Sequence, residues 1–235
     1  MLYDVQAVKA NIRNRDGKRV FFLGKGDQLT VSARDHLTRE RIEILPAESA
    51  KIDTYRLPNG GYMTEKPEHM THLHSDVLVS KTHPRIAFRG AMDTLEAEIL
   101  LSQLSAPHFQ GQLQEILDFA RLLIRWEVMD EKAEEKSLCG LTEEQIRRHS
   151  HFPQEYYGQP HFMPSVTDGP VVLQLNRARC AARAAELMAV AAFTDKDGAV
   201  SRVDLLKALN RLSSILYILM IREKASPRGE AVKNL

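Results

Sequence analysis

The apolar positions of this chain change their rhythm partway along. Up to residue 66 they come in short runs bounded by turn formers. RVFFLGKGDQLTVS reads as an apolar strand running into Gly24, Gly26 and Asp27. SARDHLTRERIEILP reads as a short helix, capped by Ser32, that leads into a strand at RIEIL. LPNGGYMTEKPEH, with Asn59, Gly60 and Gly61 followed by Pro67, reads as a turn-rich linker, and the boundary between two regions is placed there.

Past the linker the spacing becomes helical. Thr82 and Pro84 mark a helix start, followed by RIAFRGAMDTLEAEILLSQL. QLQEILDFARLLIRWEVMDEKAEE sets Leu113, Ile116, Leu117, Ala120, Leu123 and Ile124 on one helical face. LTEEQIRRH is a short capped helix, and SHFPQEYYGQPHFMPSVTDGP a long aromatic and proline-rich loop of the kind that carries function. Two further long helices follow, VVLQLNRARCAARAAELMAVAAF and SRVDLLKALNRLSSILYILMIRE. The second is apolar nearly all round, which predicts burial among neighbours. The expected fold is mainly α: an up-and-down bundle of about five helices over 67–225. A small α/β segment at 1–66 precedes it and a loose tail at 226–235 follows.

Composition narrows the classes of function. The 235 residues are 27% charged and 43% hydrophobic with a net charge of +1, so there is no broad electrostatic attraction to nucleic acid or membrane. No apolar run is long enough to span a bilayer, and MLYDVQAVKANIRNRDGK lacks the pattern of a signal peptide. Two cysteines, Cys139 and Cys180, make no disulfide framework, which fits a cytoplasmic, reducing location.

Four patterns compete as sites. His69, His72 and His74 crowd EHMTHLHSD, but no cysteine pair or HExxH motif joins them; the expectation is an ordinary loop without metal, with a histidine-only site as the competing reading. FTDKDGAVSRVD places Asp195, Asp197 and Gly198 in calcium-loop register, yet Phe193 falls at the first position and Asp204 at the last, so a helix–helix turn is expected. LGKGDQLT lacks the GK[ST] ending of a P-loop; a plain β-turn and a phosphate-cradling turn both fit. The fullest constellation is Arg179, Arg183 and Glu186 at i, i+4 and i+7 on one helix face. Its small apolar surroundings suit close packing in a bundle core, where arginines need anionic partners such as a triphosphate. A solvated charged stripe is the alternative. Asn210 on the next helix is a polar group among apolar ones.

Together these residues resemble a known family. SKTHPRIAFRGAMDTLEAEI is similar to the K-x-x-P-R-x-x-x-x-G-x-x-D-x-L stretch of PduO-type ATP:cob(I)alamin adenosyltransferases, RARCAARAAE to their R-x-x-x-R-x-x-E helix, and LNRLSSILY to their N-R-L-S helix. SHFPQEYYGQPHFMP, the THL before the lysine, and QLTVSARDHL resemble the EutT-type branch of ethanolamine utilisation. The likeness implies a helical-bundle enzyme that moves the 5′-deoxyadenosyl group of ATP onto reduced cobalamin, with Mg²⁺ on the nucleotide, to supply ethanolamine ammonia-lyase. It also implies a homo-oligomer, a trimer or in this branch a dimer, with sites between subunits. A cobalamin reductase is an implied partner, and a bacterial microcompartment an implied location.

Carried over by position, Lys81 and Arg85 lie near the nucleotide's phosphates, Arg179 and Arg183 on the triphosphate with Glu186 beside them, and Asn210 beside the nucleotide. Asp93 matches a structural or site-supporting aspartate. Lys25, Asp27 and Thr30 faintly echo the family's nucleotide loop, one residue short. Phe152, Tyr156, Tyr157 and Phe162 are candidates for an apolar wall under the corrin. Two departures stand out. Ser214 occupies the place of an aspartate that braces the first arginine, so Arg179 must be held differently. No cysteine accompanies the histidines, which removes the H…CC-x-x-C metal segment of some EutT-type enzymes. A non-catalytic cobalamin or nucleotide carrier, and a helical interaction module with purely structural charges, are the competing readings.

Overall fold

Two compact units, Met1–His83 and Pro84–Leu235, divide the chain. The computed structural model describes residues 1–15, 18–47 and 55–226, so the expected tail lies outside the described residues from 227 onward.

The first unit is built from short strands. β1 (Leu2–Tyr3) pairs in parallel with β4 (Gln28–Leu29). β3 (Lys18–Leu23) takes β2 (Arg13–Arg15) antiparallel on one edge and β5 (Glu43–Pro46) parallel on the other. Helices α1 (Val5–Asn11) and α2 (Val31–Arg39) bury Val8, Ala33 and Leu37, and β3 buries Val20 and Phe21. The cap of α2 is Thr30 rather than Ser32: Thr30 is extended and its hydroxyl accepts from the Ala33 amide at 3.2 Å, so the helix begins at Val31. A third sheet runs β7 (Tyr62–Met63), β6 (Tyr55–Arg56), β9 (Val77–Ser80), β8 (Met70–His74). The segment read as a linker therefore contains a hairpin. Gly60, at φ +86°, lets its amide reach the Leu57 carbonyl, and the Leu57 amide closes onto Gly61 at 2.8 Å. Arg56 grips Asp76 with two parallel bonds of 2.7 and 2.8 Å.

The second unit carries α3 (Pro84–Ser105), α4 (Gln110–Val128), α5 (Glu143–His151), α6 (Pro153–Tyr157), α7 (Pro170–Phe193) and α8 (Val203–Ala225). Its cross-links show the direction of each helix. Gln103 donates to Gln114, Arg121 to Glu96 and Arg89 to Glu127, so numbers fall on α3 as they rise on α4. Glu98 accepts from Gln174 while Phe88 meets Phe193 edge-on, which sets α7 antiparallel to α3. Asn210 reaches Glu186 and Arg179 lies over Tyr217, which sets α8 antiparallel to α7. The four long helices thus alternate up and down, as expected, with α5 packed on α8.

Among the described residues the α-helices number eight rather than about five. Two belong to the first unit. α6 is a short helix within the stretch read as loop; Pro153 starts it, and Gly158 in the left-handed region ends it. α8 is buried as its sequence predicts, with Leu205, Leu209, Leu212, Leu216 and Leu219 at 0% exposure. Each contributes roughly 1.5–3 kcal/mol by leaving water. On α7 the buried stripe is Ala178, Ala182, Ala185 and Ala189, whose small side chains let α3 and α8 approach closely.

Candidate functional site

Arg179, Arg183 and Glu186 each follow one residue after a member of that alanine stripe. An α-helix turns about 100° per residue, so the three flank the core instead of entering it. Arg183 is exposed, and Arg179 and Glu186 are half-buried. This corrects the expectation that the arginines sit inside the bundle. The alanines take the core positions because only they fit between α3 and α8.

The missing aspartate at Ser214 is compensated locally. Arg179 donates from both Nε and Nη2 to Asn176 Oδ1, at 3.1 and 3.0 Å, one turn earlier on α7. Its guanidinium carbon lies 5.9 Å from the centre of the Tyr217 ring on α8. Both supports are neutral, so the charge of Arg179 is oriented without being cancelled. Neither Asn176 nor Tyr217 is singled out by sequence spacing; the LNRAR string places an amide at i−3 of the first arginine, and that is the signal that could have found Asn176.

Opposite Glu186, α8 contributes an ordered polar chain. Asn210 donates from Nδ2 to Glu186 Oε1 at 3.1 Å, and Arg211 donates to Asn210 Oδ1 at 2.5 Å. Arg183 itself has no hydrogen bond or ion pair to any described residue. The structure therefore brings Arg179, Arg183, Glu186 and Asn210 along one groove between α7 and α8.

The aromatic stretch borders the same groove. His161 donates from Nε2 to the His151 carbonyl at 3.1 Å, which leaves Nδ1 to accept from the Tyr217 hydroxyl at 2.8 Å. Burial pushes the Tyr217 phenol up, so it stays a donor. Tyr157 bonds through its hydroxyl to His149 Nδ1 at 2.8 Å, and His149 stacks on Tyr156 at 3.7 Å. Burial raises the Tyr157 phenol and lowers the His149 imidazole. Phe162 packs against the core with the Lys224 ammonium 5.3 Å over its ring. Phe152 keeps 53% of its surface open. Of the candidate rings, Phe152 is the most exposed.

Arg85 is engaged at another part of the bundle. Arg85 donates from Nε to Glu127 Oε1 at 2.5 Å and from Nη2 to the Glu127 carbonyl at 3.0 Å, while Arg89 donates to Glu127 Oε2 at 2.7 Å. Glu127 is fully buried, and Arg85 also lies 5.7 Å from the Phe193 ring, about 10 Å along α7 from Glu186. Sequence reasoning missed Glu127 and Arg89, because a glutamate inside an apolar helical run looks like a solvated position. Asp93 is exposed on α3. In the first unit, Lys25 and Lys81 are exposed, Asp27 accepts from the Met1 amino group at 2.6 Å, and the Thr30 hydroxyl is occupied in capping α2.

His72 and His74 lie on β8, with the His72 ring 5.6 Å from Tyr55, and His69 precedes the strand. Among the described residues no three His, Cys, Asp or Glu side chains converge as a metal site. The Asp195–Gly198 segment is a turn: Asp195 Oδ1 accepts from the amides of Asp197 and Ala199. Burial pushes the Cys139 thiol up to about 12, so it is no nucleophile at neutral pH.

Residues 61–223 match the family model described as cobalamin adenosyltransferase. The chain is 35% identical over 160 residues to the corrinoid adenosyltransferase EutT of Salmonella typhimurium. Over a stretch of the same length it is 32% identical to the corrinoid adenosyltransferase EutT of Escherichia coli. The matched stretch is 68% of this chain and 60% of each relative, so the chain spans less than two thirds of the relatives' length.

Proposed function

Because this chain belongs to the cobalamin adenosyltransferase family, we propose that it transfers the 5′-deoxyadenosyl group of ATP to cob(I)alamin, giving adenosylcobalamin and triphosphate. The observation that carries this reading is the groove in which Arg179 is oriented by neutral groups and Arg183 has no partner among the described residues. Cobalt(I) is a strong nucleophile and needs no basic side chain. Its electron pair forms the bond to the ribose C5′ as the C5′–O bond breaks, and triphosphate leaves with the two electrons of the C5′–O bond. The protein's part is to aim the two substrates and stabilise the charge growing on the leaving group. Uncancelled guanidiniums fixed beforehand do this at the least reorganisation cost.

In this reading Arg179 and Arg183 grip the triphosphate, and Asn210 fixes the nucleotide with Glu186 at its back. Glu186 is also the residue that would hold Mg²⁺ entering with ATP, where the ion shares the leaving group's charge. Phe152, Tyr157 and Phe162 form the apolar wall for the corrin. We extend the reading to a homo-oligomer, trimeric or dimeric. A cobalamin reductase supplies the reduced corrinoid, and ethanolamine ammonia-lyase takes the product. No helix among the described residues is long and apolar enough to cross a membrane; the cytoplasm, including a microcompartment within it, is the proposed location.

The test mixes the protein with MgATP and chemically reduced cobalamin and follows the visible spectrum. Growth of the adenosylcobalamin spectrum is expected. A spectral shift without product would replace the enzyme by a carrier, and an unchanged spectrum would leave a structural module.

A further inference from the structure

Arg183 and Glu186 are three residues apart on one helix, the spacing at which opposite charges pair. In the structure they do not pair. Glu186 Oε1 accepts instead from Asn210, and the Asn210 carbonyl oxygen is drawn the other way by Arg211 at 2.5 Å. Arg211 also has reason to be elsewhere. Glu143 of α5 is near enough to influence it, but Glu143 is claimed by Lys207 at 2.6 Å, and Arg147 of α5 adds a like charge. Arg211 Nε is buried with no acceptor among the described residues. A buried donor without a partner is unfavourable, and such groups persist where function requires them. The side chain is held in an unfavourable place while it polarises Asn210.

We infer that Arg211 is a positioning residue: through Asn210 it holds Glu186 away from Arg183 and so keeps the Arg183 guanidinium open for a polyphosphate. A carboxylate accepts only, so Glu186 takes the amide N–H. Arg211 fixes the opposite end of that amide and balances the Glu186 charge through it. Without Arg211 the amide loses its anchor, Glu186 turns to Arg183, and the two neutralise each other before substrate arrives. The inference rests on the reading of this groove as a triphosphate site.

Inorganic tripolyphosphate in metal-free buffer, followed by calorimetry, tests it independently of turnover. Arg211→Met, which keeps the packing of the stem, should weaken tripolyphosphate binding about tenfold, equivalent to about 1.4 kcal/mol. KM for ATP should rise in parallel, with KM for cob(I)alamin unchanged. Arg211→Lys should restore most of the affinity. Adding Glu186→Gln to Arg211→Met should also recover affinity, because a neutral amide does not quench Arg183; a residue that merely supports the fold gives no such recovery. Arg211→Gln, alone and with Glu186→Gln, gives the same comparison if Arg211→Met does not fold. Equal tripolyphosphate affinity in wild type and in Arg211→Met, or in Arg211→Gln where that replaces it, overturns the inference while leaving the enzyme reading intact. An active wild type whose Arg211 variants lose affinity that Glu186→Gln does not restore also overturns it. A wild type that neither binds tripolyphosphate nor forms adenosylcobalamin overturns the underlying reading and the inference with it.

Discussion

Two groups of arginines in the same bundle are treated in opposite ways. At one end, Arg85 and Arg89 close on Glu127, a carboxylate with no exposed surface, at 2.5 and 2.7 Å. Along the α7–α8 groove, Arg179 is held by an amide oxygen and an aromatic face, and Arg183 by nothing among the described residues. The first arrangement uses charge to fix helices, since a buried carboxylate must be paired. The second orients charge and leaves it uncancelled, which serves an anion that arrives later. Sequence spacing alone treats Arg85 and Arg183 alike; only the partner distinguishes them.

The largest effect expected from breaking this contrast is on stability. Glu127→Gln leaves two guanidiniums facing a neutral amide in a largely dry site, and should cost about 3–5 kcal/mol. Chemical denaturation should show the loss directly. A variant as stable as wild type would mean that the cluster is not what joins α3 to α4. Next is Arg183→Ala, which should keep its melting temperature and lose transition-state stabilisation of about 3 kcal/mol. Turnover with saturating ATP is the measurement, and near-wild-type turnover would remove Arg183 from the mechanism. The two variants should be mirror images, one losing fold and the other losing rate.

The contrast is sharpened by supplying the charge that Ser214 does not. Asn176→Asp places a carboxylate on Arg179, which should stabilise the helix by no more than about 0.5–1 kcal/mol, as partly exposed pairs do. The same change should raise KM for ATP, because Arg179 would then be cancelled. An unchanged KM would show that the neutrality of its support is irrelevant.

How much of this was legible in the sequence depends on the range of the interaction. The four long helices and α5 follow from spacing and caps, because periodicity is local; Thr142 and Gln145, for example, form the capping box that opens α5. The hairpin at 55–63 looks like a linker in sequence because its strands, β6 and β7, are two residues each and β6 is fixed by pairing with β9 across the sheet. The i, i+4, i+7 line on α7 was visible, but its side was not. Which face of α7 enters the core is decided by α3 and α8, and they select alanine. Glu127 was invisible for the same reason, since its two partners are 42 and 38 residues away.

The smallest effect concerns pH, and it belongs to the aromatic border of the open groove. Burial lowers the His149 imidazole from its ordinary value. In the folded state it therefore stays neutral to lower pH than in the unfolded chain, where it titrates near about 6.5. Between these two values the unfolded chain binds more protons, so stability rises with pH in that window. The contribution is complete above about pH 6.5 and is lost as pH falls through the folded value. Protonation also charges a ring that is bonded to the Tyr157 hydroxyl and stacked on Tyr156. Melting temperatures of wild type and His149→Gln should therefore converge as pH is lowered from 8 to 5. A constant gap would mean that the imidazole is as free to protonate in the fold as in the unfolded chain. Phe152, three residues further on, would then rest on a shelf that acid does not loosen.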